Sequence, residues 1–164
     1  VIGRAFVYGD DIDTDLLAPG WAMKLPPEAL ARKTLVAIDP SFAETVRPGD
    51  VLVAGRNFGL GSSREQAAVS LKLLGLQAVI AASFARIFWR NAINLGLPAI
   101  ALPEAREIAS GDRIEVDVQG GRVLNHSCGL AYAFPPFPPH LTAMIDDGGL
   151  IPHLKRRFAA ERAA

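Results

Sequence analysis

The chain has 164 residues, 17 basic and 17 acidic side chains, a formal charge of zero, and a half-hydrophobic composition. Those values suit one globular domain able to bury roughly 70% of the surface its unfolded form exposes. They give non-specific nucleic-acid binding no electrostatic footing. The one cysteine, Cys128, excludes an internal disulfide framework or a metal site needing several thiolates from this chain, and points to the reducing cytoplasm.

Arg4 to Tyr8 reads as a first strand ended by Gly9, followed by the acidic stretch Asp10-Asp11-Ile12-Asp13-Thr14-Asp15. Ala18 to Pro48 carries five prolines and one weak helical piece, so a long, partly irregular excursion is expected there. Regular alternation then begins. Asp50 to Ala54 is a short apolar run, the pattern of a buried strand. Asn57-Phe-Gly-Leu-Gly61 forms a turn, and Ser62 or Ser63 is placed to cap a helix running to Leu74. On that helix Ala67, Leu71 and Leu74 share a face, and Gly75 stops it.

Ala78 to Ala82 is the next strand. Ser83 is expected to cap a second helix on which Phe84, Ile87, Phe88, Ala92 and Leu95 share a face, ending at Gly96 and Pro98. Ala99 to Leu102 completes a β-α-β-α-β run, which predicts parallel strands with right-handed crossovers. The alternation from Ile114 to Val118 and the Gly120-Gly121 turn predict a hairpin with Arg122 to Asn125, and Leu130 to Phe134 is a further strand. Val123 to Ile145, the longest uncharged stretch, holds four prolines and the polar Asn125-His126-Ser127, so it reads as loop and not as a membrane span. Val1 enters a strand-like run at once, with no leader segment in view. Pro138 to Ile145 and Ile151 to Phe158 are terminal helices split by Gly148-Gly149. The expected class is α/β with an antiparallel addition.

The densest chemical signal is Gly55-Arg-Asn-Phe-Gly-Leu-Gly-Ser-Ser-Arg-Glu-Gln66. Glycines let a backbone approach a ligand, a helix start offers unpaired N–H groups, and two hydroxyls and a guanidinium share the spot. Such a site suits carboxylate or phosphate, with Arg64 able to grip a carboxylate by two parallel hydrogen bonds. The glycine spacing is not that of a dinucleotide fold, and neither a nucleotide P-loop nor a Gly-x-Ser-x-Gly elbow is present. An ordinary capped helix after a glycine turn is the plain alternative.

Gly59 to Glu65 after Asn57-Phe58, then Ala82 to Phe88 and Arg90 to Pro98, resembles the aconitase superfamily, in particular the small subunits of 3-isopropylmalate dehydratase and homoaconitase. The resemblance extends to Tyr8–Asp15, Val46–Asp50 and Gly149–Lys155, in order along nearly the whole chain. It implies a swivelling β/β/α domain that closes over a large subunit carrying a [4Fe-4S] cluster on three cysteines, with this chain binding no metal itself. It also implies Ser62 as catalytic base, Asp15 as a further active-site acid, and Ser63 and Arg64 as ligands of substrate carboxylate and hydroxyl groups. The substrate would be a small hydroxy dicarboxylic or tricarboxylic acid.

Two departures stand out. Leu60 and Gln66 occupy positions where relatives carry cysteine and histidine. After Thr14-Asp15, the loop expected to select the substrate reads Pro19-Gly20-Trp21-Ala22-Met23-Lys24. Trp21 and Met23 suit an alkyl group, as in isopropylmalate or dimethylmalate, whereas Lys24 suits an extra carboxylate, as in homoaconitate. A reading from a different class is a stand-alone anion-binding or regulatory module using the same loop. The aspartates at 10, 11, 13 and 15 lack the glycine and terminal glutamate of a calcium loop. Arg86 and Arg90 form either an anion patch or ordinary ion pairs, and His140 and His153 have no partner in view. Phe134 to Pro139 is read as a rigid connector that packs its phenylalanines.

Overall fold

The computed structural model describes residues 1–163. In chain order it has β1 (Ile2–Val7), α1 (Thr14–Leu17), a 3-10 turn (Gly20–Ala22), α2 (Pro27–Ala31), α3 (Phe42–Thr45), β2 (Val51–Ala54), α4 (Glu65–Leu73) and β3 (Ala78–Ala81). Then come α5 (Arg86–Asn94), β4 (Ala99–Ala101), a second 3-10 turn (Pro103–Glu107), β5 (Arg113–Asp117), β6 (Arg122–Asn125), β7 (Leu130–Ala133), α6 (Pro139–Asp146) and α7 (Leu150–Ala163). The α/β class with an antiparallel addition is what the sequence predicted.

All seven strands form one sheet in the order β4-β3-β2-β1-β5-β6-β7. β1 is the seam. It runs parallel to β2, with Ala5 opposite Val51, and antiparallel to β5, with Gly3 opposite Ile114. On one side β2, β3 and β4 continue parallel, and on the other β5, β6 and β7 form the antiparallel meander.

The apolar runs of β2 and β3 are buried at every residue, as strands covered on both faces must be. Side chains alternate between the faces. Leu52, Ala54, Val79, Ala81 and Ala99 join Leu17, Leu35, Phe42, Leu71 and Phe88 under the helices. Val51, Val53, Ala78, Ile80 and Ile100 meet Ala105, Ile108, Tyr132 and Phe134 on the opposite face. Each large aliphatic side chain buried in this way contributes about 1.5–3 kcal/mol. Phe134 is buried and Phe137 packs beside it with the ring planes tilted, so the proline-rich connector does pack its phenylalanines.

Both helix starts differ from the sequence expectation. α4 begins at Glu65 after an extended Arg64, with no side-chain cap, so neither Ser62 nor Ser63 caps it. α5 begins at Arg86 after Ala85, and Ser83 does not cap it. The Ser83 hydroxyl instead accepts the Asn57 N–H at 2.9 Å, and Phe84 stays extended in a bridge to Phe58. Long-range pairing takes the donors and acceptors that local capping would have used. On α5 Phe88, Ala92 and Ile93 face the core while Ile87, expected on that face, is exposed.

The parallel topology fixes where function can sit. β1, β2 and β3 all end at the same sheet edge, and each continues directly into a loop there: residues 8–13, 55–64 and 82–85. The crevice outside the carboxyl ends of parallel strands is the usual ligand position in such sheets.

Candidate active site

The three edge loops are laced together by backbone hydrogen bonds. Gly59 donates to Ile12 at 2.7 Å, Thr14 to Leu60 at 2.9 Å, and Asp11 to Arg56 at 2.8 Å. Phe58 donates to Ser83 at 3.0 Å and Ala85 to Phe58 at 2.9 Å. Asp11 and Asn57 face each other with φ of 58° and 61°, and the Asn57 amide donates to the Asp11 carboxylate at 3.0 Å. Asparagine and aspartate visit this left-handed region at lower cost than other side chains. Gly59 has φ 82°, and a Cβ there would lie 2.3 Å from the Phe88 side chain. The loop therefore lies flat on α5, and only glycine fits.

The four loop aspartates are spent locally. Asp10 accepts the Arg56 N–H at 2.7 Å, Asp11 accepts from Asn57, and Asp13 caps α1 by accepting the Leu16 N–H at 2.8 Å. Asp15 Oδ1 accepts Arg64 Nη1 at 2.8 Å and the Gly20 N–H at 2.9 Å. Arg64 Nη1 donates also to the Ala18 carbonyl at 3.0 Å. The Arg64 hydrogen bond first, and the Gly20 N–H second, hold the Asp15 carboxyl below the usual carboxylate range. Asp15 is thus an anion with a fixed oxygen.

Ser62 and Ser63 are exposed on the loop that leads into α4, while Arg64 is half-buried against the turn carrying Asp15 and Ala18. Glu65 lies in the first turn of α4, whose leading N–H groups have no acceptor within the helix. The structure therefore brings together Asp15, Arg64 and the start of the 19–24 turn, with two free hydroxyls next along the chain.

The rest of that turn is spread out. Trp21 is 71% exposed, its ring 6.0 Å from Lys33 Nζ. Met23 turns inward and lines a cleft with Leu30, Gln66 and Val69 between α2 and α4. Lys24 is exposed. So Met23 and Gln66 line the same cleft, a juxtaposition of the two sequence departures that spacing did not reveal. Sequence reasoning also missed Gly20 and Ala18, which act through backbone atoms and leave no side-chain signal.

Elsewhere, His153 is not partnerless: its Nδ1 lies 2.7 Å from Asp147, and His126 Nε2 lies 2.9 Å from Glu115. Arg86 and Arg90 are exposed. Among the described residues, no three His, Cys, Asp or Glu side chains converge to hold a metal ion, and no helix is long and apolar enough to cross a membrane.

Residues 35–105 match the model of the aconitase C-terminal domain. The chain is 46% identical over 157 residues to the 3-isopropylmalate dehydratase small subunit of Moorella thermoacetica, covering 94% of this chain and 95% of the relative. It is 45% identical over 156 residues to 3-isopropylmalate dehydratase small subunit 1 of Thermotoga maritima, covering 94% of each. A crystal structure of 3-isopropylmalate dehydratase from Methanocaldococcus jannaschii superposes with a TM-score of 0.92 at 40% identity, covering 99% of this chain and 97% of that one.

Proposed function

The chain belongs to the family of 3-isopropylmalate dehydratase small subunits within the aconitase superfamily, and from that membership we infer that it is one half of a hydro-lyase. It supplies the serine base and the carboxylate grip for dehydrating a hydroxy dicarboxylic acid, 3-isopropylmalate first among them. The observation that carries this reading is the pairing of exposed Ser62 and Ser63 with an Arg64 already fixed by Asp15. One domain, residues 1–164, works as a swivelling wall against a large subunit, in the cytoplasm.

A serine hydroxyl is a poor base near neutral pH, so Ser62 needs donors that favour its alkoxide. We assign that part to the first-turn N–H groups of α4, which no side chain caps, and to the Arg64 guanidinium, the donors nearest to Ser62 along the chain. Ser62 Oγ takes the proton from the carbon next to a substrate carboxylate, while Ser63 and Arg64 hold that carboxylate. With one exposed cysteine and no converging metal ligands among the described residues, this chain's donor set fits a wall of the site and not the holder of an iron–sulfur group. A [4Fe-4S] cluster held by the large subunit would supply Lewis acidity toward the departing hydroxyl.

Exposed Lys24 favours a second substrate reading, in which an extra carboxylate is met as in homoaconitate. 2,3-Dimethylmalate is the apolar alternative, through Met23 and Trp21. To test the assignment, the chain is combined with its large subunit, the cluster rebuilt anaerobically, and the unsaturated acid followed by absorbance across a substrate panel. Ser62→Ala should lower kcat by about 10²–10⁴, and undiminished turnover would remove Ser62 from the base role. Carboxylate binding by the isolated chain without turnover in any complex would instead favour the anion-binding module.

A further inference from the structure

Asp15 is the acid the family resemblance puts in the active site, yet its surroundings are those of a brace. Oδ1 is the shared acceptor of Arg64 Nη1 and the Gly20 N–H. The two Nη1 hydrogens of Arg64 are both used, one on Asp15 and one on the Ala18 carbonyl. No acceptor among the described residues takes Nε or Nη2. Nε–H and the Nη2–H beside it form the side-on fork of a guanidinium, the edge that grips a carboxylate with two parallel hydrogen bonds. The brace thus occupies the wrong edge for substrate and leaves the right one open.

We propose that Asp15 is a positioning residue that acts through Arg64, locking the guanidinium so that its Nε/Nη2 edge is presented to a substrate carboxylate and tying it to the 18–24 turn. This rests on the small-subunit reading. Asp15 does not carry a proton in the reaction. A general acid or base has to change its protonation state, whereas this exposed carboxylate has its Oδ1 committed to two donors, one of them a cation. Because Gly20 lies in, and Ala18 just before, the 19–24 turn that the resemblance assigns to substrate selection, the same brace couples carboxylate binding to substrate choice: a displacement of Trp21, Met23 or Lys24 is felt at Arg64.

The test is a double-substitution cycle in the two-subunit enzyme with Asp15→Asn, Arg64→Lys and both together. Asp15→Asn keeps an acceptor oxygen and loses the charge. It should raise KM about tenfold, change kcat by less than about threefold, and leave both limbs of the pH–rate profile in place. In the Arg64→Lys background it should cost no more than about a further twofold. Loss of a pH limb, a fall confined to kcat, or full additivity of the two substitutions would overturn the proposal. A second readout needs no turnover. In the isolated full chain, nitrogen NMR should show slow guanidinium rotation at Arg64, abolished by Asp15→Asn, and an Arg64 Nε–H shift on titration with malonate that weakens about tenfold in the variant. Unchanged Arg64 signals would also overturn it. Absence of turnover from the wild-type complex, with these signals behaving as expected, would overturn the small-subunit reading and leave the brace standing.

Discussion

Gly59 is held between two demands, a φ of 82° and a Phe88 side chain where a Cβ would be. Gly59→Ala should therefore cost about 2–5 kcal/mol, read from the urea midpoint. Gly9→Ala, where a Cβ meets nothing within 4 Å, should stay within about 0.5 kcal/mol. Ionisable residues make a second prediction. Asp15, Asp39 and Asp147 are lowered chiefly by hydrogen bonds from Arg64, Tyr8 and His153 respectively. Unfolded, they take up protons near their ordinary value of 3.8, while the folded forms stay ionised. The unfolded state then binds more protons, so stability is present above that value and is lost as pH falls below it. Tyr8 is the opposite case. Burial first, then the Asp39 hydrogen bond, raises its phenol above the ordinary 10.0. Stability should decline as pH climbs past that value, because only the unfolded phenol ionises, and Tyr8→Phe should flatten this alkaline slope in a pH series of urea titrations.

Among the elements, the parallel β-α-β-α-β run and the Gly120-Gly121 hairpin were legible because hydrophobic period and turn chemistry are local properties. The starts of α4 and α5 were not. Ser83 spends its hydroxyl on Asn57, 26 residues away in sequence, and no local propensity records that. The Asp15–Arg64 contact spans 49 positions, so both residues could be nominated from sequence but not their union. The same holds for His153. It meets Asp147 across the Gly148-Gly149 turn, where Arg156 also reaches the second Asp147 oxygen at 2.6 Å. α7 has no fully buried residue, and this carboxylate holds two of its side chains. Asp147→Ala should hasten tryptic cleavage at Lys155 to Arg157 several-fold while leaving the thermal midpoint of the sheet almost unchanged. Leu71→Ala, in the fully buried face of α4, should by contrast lower global stability by about 2–5 kcal/mol.

At the scale of the molecule, three loops from three strands share their backbone hydrogen bonds and should open together. The amides of Gly59, Phe58 and Thr14, all bonded across loops, should exchange with solvent as one group at a rate close to that of the parallel strands, and not with the faster rates of exposed loops. The lacing has a mechanical meaning. A stitched edge transmits displacement without absorbing it, as a jaw does. In the closure proposed above, Arg64 and the turn at Gly20 should travel together as one plate, because Asp15 ties them, and the bending should fall outside them.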